Sequence, residues 1–70
     1  MAEIRAEMVA NVWKVVAVEG HDVADGDTLV ILESMKMEIP VLAEGSGKLA
    51  TFAVAEGDVV QEGDLIAVIE

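Results

Sequence analysis

Apolar and polar residues alternate along most of this chain, in short runs rich in β-branched side chains. Residues 8–18 form the best candidate for an amphipathic helix, but their valine content favours a strand. Glycine and acidic residues separate the runs, as is typical of tight turns between strands. The pattern predicts an all-β protein with eight strands, at residues 2–5, 11–18, 22–23, 28–34, 37–43, 47–54, 59–60 and 65–70.

The chain contains an internal repeat. Residues 6–33 align with residues 43–70 at a constant offset of 37 and without a gap, and 8 of the 28 pairs are identical. The identical pairs include two glycines and the acids beside them, and many other pairs exchange one apolar residue for another. Chance would not keep such positions in register, so we infer two copies of one supersecondary unit.

Each copy has a Glu-Gly pair and, six residues after that glycine, a Gly-Asp pair. Glycine adopts positive φ without steric cost, so Gly20, Gly26, Gly57 and Gly63 are predicted turn positions. Neither copy can bury its apolar face alone, so the two should pack into a sandwich or flattened barrel with pseudo-two-fold symmetry. Pro40 lacks a backbone donor, which predicts an edge or a bulge for its strand.

A lysine lies at the junction of the two copies. The apolar runs at 28–32 and 39–43 approach it from both sides, which predicts a hairpin with Lys36 at its exposed tip, between Met35 and Met37. The symmetry mate of Lys36 would be position 73, beyond the last residue. We therefore expect the lysine turn at one end of the molecule and both termini at the other.

Composition and charge exclude several classes of function. The formal net charge is −10, from 14 acidic and 4 cationic residues, which disfavours nucleic-acid binding because phosphate contacts need clustered Lys and Arg. There is no cysteine, so neither a disulfide framework nor a Cys-based metal site is expected. No apolar run has the length of a membrane span or the form of a signal peptide. A soluble cytoplasmic monomer with one domain, residues 1–70, is expected.

Structural roles are expected for the other residues that could carry chemistry. His21 is expected to be a solvated turn residue, and Trp13 should lie on a half-exposed sheet face. The acids near the turns lack the spacing of an EF-hand calcium loop, so turn capping is the better interpretation. These acids are Asp22, Asp25, Asp27, Asp58, Glu62 and Asp64. No catalytic triad, zinc pattern or phosphate loop is present, which predicts a protein that is not an enzyme by itself.

The segment Glu33-Ser34-Met35-Lys36-Met37-Glu38 resembles the biotin attachment motif of the biotinyl/lipoyl-attachment domain family. The resemblance extends from about residue 2 to residue 70. It implies a flattened eight-stranded barrel of two four-stranded antiparallel sheets, with biotin amide-linked to Lys36. Met35 and Met37 are the expected recognition residues for biotin–protein ligase, and Glu33 and Ser34 complete the expected cofactor-binding segment. The further implied partners are a biotin carboxylase and a carboxyltransferase, between which the biotin would carry carboxylate.

The sequence departs from the family pattern in two places. Ser34 stands where Ala is usual, and residues 6–11 lack the Pro and Gly of the family's Ala-Pro-Met-x-Gly-Thr stretch. The six-residue interval from Gly20 to Gly26 leaves no room for the protruding thumb loop of some acetyl-CoA carboxylase carriers.

Two alternatives to a biotin carrier stay open from the sequence. A lipoyl carrier has the same fold, but lipoyl domains present a carboxylate directly before the lysine, where this chain has Met35. A regulatory or scaffold protein, biotinylated or unmodified, could also keep the fold without serving a carboxylase.

Overall fold

Eight β-strands and no helix make up the computed structural model, which describes residues 1–70. Four strands have the predicted bounds, at residues 2–5, 22–23, 28–34 and 59–60. The strands are β1 (Ala2–Arg5), β2 (Ala10–Val15), β3 (Asp22–Val23), β4 (Thr28–Ser34), β5 (Met37–Leu42), β6 (Gly47–Phe52), β7 (Val59–Val60) and β8 (Leu65–Ile69).

The strands form two four-stranded antiparallel sheets, in the orders β1-β8-β6-β3 and β5-β4-β2-β7. Adding 37 to the residue numbers converts β2 and β3 into β6 and β7, places β1 on residues 39–42 of β5, and makes the start of β4 coincide with the start of β8. The same exchange converts one sheet into the other, which confirms the pseudo-two-fold symmetry. Each sheet therefore draws strands from both copies of the repeat, so that neither copy has a sheet of its own.

The bulges of the sheets are also duplicated. Trp13 is an extra residue in β2 where it pairs with β4, and Ala50 is the equivalent extra residue in β6 against β8. Leu29 and its mate Ile66 are the extra residues in the β4–β5 and β8–β1 pairs. Because a bulge bends its strand and increases the local twist, equivalent bulges give the two sheets the same curvature.

The fully buried residues between the sheets all have aliphatic side chains. The buried residues contain no polar or charged side chain and no aromatic ring. The largest fully buried ones are Leu29, Val30, Leu32, Leu49, Val12, Val60 and Ile66. The four interior strands β2, β4, β6 and β8 contribute six of these seven residues, because a central strand has neighbours on both sides.

Tight turns explain why particular acids are identical in the two copies. The Oδ2 atom of Asp27 accepts a hydrogen bond from the Ala24 N–H at 2.8 Å, and Asp64 does the same for Gln61 at 2.9 Å. Gly26 and Gly63 precede these aspartates with φ of 90° and 91°. The predictions that these glycines occupy turns and that the aspartates cap them are confirmed. Gly20 and Gly57 also have positive φ, as predicted.

A second pair of identical acids joins the two copies. Glu56 accepts a hydrogen bond from the Val15 N–H at 3.0 Å, and its mate Glu19 accepts one from the Phe52 N–H at 2.6 Å. Each carboxylate thus satisfies a backbone donor at the last residue of a strand that belongs to the other copy.

The predicted continuation of two strands to residues 18 and 54 is wrong. β2 ends at Val15, because the Val15 N–H bonds to a side chain and the next two N–H groups both donate to the Leu29 carbonyl oxygen. β6 ends at Phe52, whose N–H bonds to the Glu19 side chain, and the next N–H, of Ala53, donates to the Ile66 carbonyl oxygen. By contrast, the edge position predicted for Pro40 is confirmed, since β5 is the outer strand of its sheet.

Candidate functional site

The hairpin between β4 and β5 turns in two residues. Ser34 pairs with Met37, so the turn itself consists of Met35 and Lys36. Both have positive φ, 53° for Met35 and 64° for Lys36, and they are the only residues besides glycines that do. Two successive left-handed residues correspond to a type I′ turn, whose twist matches that of the flanking strands. Such turns favour Asn-Gly, and neither residue is present here.

The side chains at this turn are mostly exposed to solvent. Met35 is 91% exposed, Met37 is 61% exposed, and Lys36 is exposed as well. Lys36 makes no side-chain hydrogen bond and no ion pair, since the single ion pair of the protein joins Arg5 to Glu3. A two-residue turn on a regular hairpin therefore holds an unpaired amine at a fixed place on the surface.

Register brings a second acid to the site. Glu33 and Glu38 face each other across β4 and β5, one pair below Ser34 and Met37, and both are exposed. Like charges at directly opposed positions destabilise a sheet. The strand β2 continues the same row with Asn11, which pairs with Glu33. The sequence singled out Glu33 alone, because the pairing with Glu38 depends on the length of the turn.

The symmetry-equivalent place holds the two ends of the described chain. Ala2 pairs with Ile69, as Ile39 pairs with Leu32 in the hairpin. The lysine hairpin therefore corresponds by symmetry to the place where residues 2 and 69 pair.

Trp13 and Asp25, which the sequence analysis also considered, make contacts that belong to the fold and not to the lysine turn. Trp13, the bulge residue of β2, is 42% exposed, as predicted for a half-exposed face, and the Lys14 Nζ lies 5.6 Å from its ring centre. Asp25 accepts a hydrogen bond from the Gly45 N–H at 2.8 Å, so it joins its own turn to the loop after β5, and Asp27 is the acid that caps the turn.

The largest concave feature lies elsewhere. A groove of about 440 Å³ runs between the edge strands β1 and β5, and its lining includes Leu32 and Ile39 but not Lys36 or its two neighbours. The candidate site is therefore a convex tip, whereas sites that bind small molecules are usually concave. A convex tip with an exposed amine suits delivery of a group into another protein's cavity.

The fold and this turn define a class of protein. The family model named Biotin_lipoyl and described as "Biotin-requiring enzyme" matches residues 2–69, so the chain belongs to the biotin/lipoyl-attachment family. Within it, the chain is 60% identical over 70 residues to "Biotinylated protein TB7.3 homolog" of Mycobacterium leprae, covering 99% of both chains. It is 43% identical to "Biotin/lipoyl attachment protein" of Bacillus subtilis, covering 90% of this chain and 86% of that protein.

Solved structures agree with this assignment. The urea carboxylase of Kluyveromyces lactis matches with a TM-score of 0.93 and 40% identity, over 99% of this chain but only 6% of that enzyme. The lipoyl domain of an Azotobacter vinelandii 2-oxoglutarate dehydrogenase complex matches with a TM-score of 0.77 and 25% identity, over 96% of this chain and 95% of that domain. The fold class predicted from the sequence is confirmed.

These findings identify a carrier domain for biotin attachment, similar to the biotinyl domains of carboxylases. Attachment domains of this family are not catalytic. The protein has no helix long and apolar enough to cross a membrane.

Proposed function

We propose that biotin is amide-linked to the Nζ atom of Lys36 and that the hairpin presents it to other proteins. The observation that carries this proposal is the unpaired, exposed amine on a two-residue turn, in a chain of the biotin-attachment family. Met35 and Met37 would contact biotin–protein ligase, because flexible thioether side chains adapt to irregular surfaces. Glu33 and Ser34 complete the recognised segment.

Loading is an acyl transfer to nitrogen. The neutral amine of Lys36 attacks the acyl carbon of biotinyl-adenylate, and the amide bond forms. Adenylate leaves with the electrons of the broken acyl–oxygen bond, and the nitrogen loses a proton. No group of this chain is hydrogen-bonded to the lysine, so the base that takes the proton must come from the ligase. The domain contributes position: an amine that approaches the ligase without steric hindrance from its own chain.

The residues of the turn fit a tethered biotin. The lysine side chain needs no rearrangement to become an amide, because no contact in the folded protein depends on its charge. The bound biotin would supply a group that takes up carboxylate in a biotin carboxylase and releases it in a carboxyltransferase. The chain keeps that group covalently attached, so it visits both sites at high effective concentration without dissociating. The matches to carboxylases support partners of this kind.

The test is the intact mass of the protein from its native host, for the wild type, Lys36→Ala and the control Lys48→Ala. Lys48 is also exposed, on β6, where its backbone pairs with Asp22. We expect the mass of one biotinyl group on the wild type and on Lys48→Ala, and the bare chain for Lys36→Ala with an unchanged β-sheet circular dichroism spectrum.

Three results would contradict the proposal. The mass of a lipoyl group would identify a lipoyl carrier, and a bare wild-type chain in the presence of active ligase would indicate an unmodified protein. Biotin retained on Lys36→Ala would place attachment elsewhere. Capture of the wild type on avidin, followed by identification of bound carboxylase subunits, tests whether the protein associates with a carboxylase.

A further inference from the structure

Methionine is absent from the core of this protein. All four methionines are exposed to some degree: Met1 is 92% exposed, Met8 is 38% exposed, and the two that flank Lys36 are 91% and 61% exposed. Methionine is usually a buried residue that fills gaps between other side chains. Here the aliphatic core is complete without it, so Met35 and Met37 contribute little to the stability of the fold.

We propose that Met35 and Met37 form a redox modification site whose oxidation slows the loading of Lys36 while the fold is retained. The inference rests on the proposed function of Lys36. The oxidant is a hydroperoxide: the thioether sulfur attacks the distal peroxide oxygen, the O–O bond breaks, and a sulfoxide forms. The sulfur loses two electrons, and the hydroperoxide is reduced to an alcohol, or to water if it is hydrogen peroxide. Methionine sulfoxide reductases reverse the reaction.

The exposure of the turn makes oxidation both easy and harmless to the domain. Oxidation depends on access of the peroxide to the sulfur, and Met35 offers almost its whole surface. The new S=O dipole would lie in water, so no buried polar group is created in the free protein. Met37 occupies the first position of β5, opposite Ser34, where its side chain also reaches solvent.

Sulfoxidation should weaken binding when the ligase covers the turn. Sulfoxidation replaces an adaptable apolar side chain with a polar one on both sides of the reacting amine. A polar oxygen that is covered without a hydrogen-bond donor is strongly unfavourable. We therefore expect the loading rate, as kcat/KM of the ligase, to fall about tenfold or more for a single sulfoxide at either position.

The experiment uses the full-length protein, purified without biotin and partly oxidised by graded hydrogen peroxide. The purified ligase of the same host, biotin and ATP are then added, with catalase to remove residual peroxide. Fragmentation of the intact protein in a mass spectrometer gives the position of each sulfoxide and the presence of biotin in the same molecule. Molecules oxidised at Met8 alone are the internal control, because Met8 lies outside the hairpin.

We expect molecules oxidised at Met35 or Met37 to load about tenfold more slowly than unoxidised ones, and Met8-oxidised molecules to load at the normal rate. Treatment with sulfoxide reductases should restore loading, and circular dichroism should show the native sheet throughout. Equal loading of all forms, or unfolding on oxidation, would overturn the inference. Failure of the unoxidised protein to load would instead overturn the proposed function of Lys36.

Discussion

The lysine turn stores backbone strain that a change of two residues should release. Met35 and Lys36 have φ of 53° and 64°, and both carry a Cβ atom. The left-handed conformation costs such a residue about 1–2 kcal/mol. Asn-Gly is the preferred sequence for this turn, so we predict that the double variant Met35→Asn/Lys36→Gly is more stable than the wild type.

The size of the gain follows from two opposing terms. Glycine at position 36 removes about 1–2 kcal/mol of strain but adds about 0.5–1 kcal/mol through the greater freedom of the unfolded chain. The net gain there is about 0.5–1 kcal/mol, and asparagine at position 35 adds about 0.5 kcal/mol because it tolerates the same conformation. The total of about 1–1.5 kcal/mol corresponds to a rise in melting temperature of about 4–12 °C for a domain of this size.

Urea unfolding followed by circular dichroism measures the change. The control is Gly26→Ala, which introduces a Cβ atom at φ of 90° where no atom lies within 4 Å, so it isolates backbone strain from crowding. We expect Gly26→Ala to lose about 1 kcal/mol. Loss of the Lys36 charge should contribute little, since exposed charges are screened, and repetition at high salt checks this. A double variant that is no more stable than the wild type would refute stored strain at the turn.

Three further changes test the packing and electrostatics. Gly47→Ala should lower the free energy of unfolding by about 1–3 kcal/mol, because the new Cβ atom would overlap the Glu70 carbonyl oxygen. The control Ala10→Gly, at the symmetry-equivalent position, should lower the free energy of unfolding by less. Glu56→Ala should lose about 1 kcal/mol by removing the partner of the Val15 N–H, and an unchanged urea midpoint would contradict that role. Glu38→Gln should gain about 0.2–1 kcal/mol by removing repulsion with its cross-strand neighbour, and the gain should shrink as salt is added.

The sequence predicts where the lysine hairpin lies but not its backbone conformation. The segment around Lys36 was found from its two methionines and its place between the copies, and its hairpin was predicted from the flanking apolar runs. Its conformation was not predicted, because Met-Lys has no preference for positive φ. The conformation follows from the pairing of Ser34 with Met37, which leaves two residues to reverse the chain. The long-range pairing thus overrides the local preference.

The sequence by itself determined the elements and their symmetry. Alternation of side chains and the glycine turns depend on a few neighbouring residues, so eight strands and a duplication could be derived without coordinates. Only the tertiary structure decided that each sheet mixes strands of both copies, that Trp13 forms a bulge, and that Glu33 faces Glu38. These features depend on register between strands distant in sequence. Register is selected by burying the aliphatic faces together, and no local pattern records it.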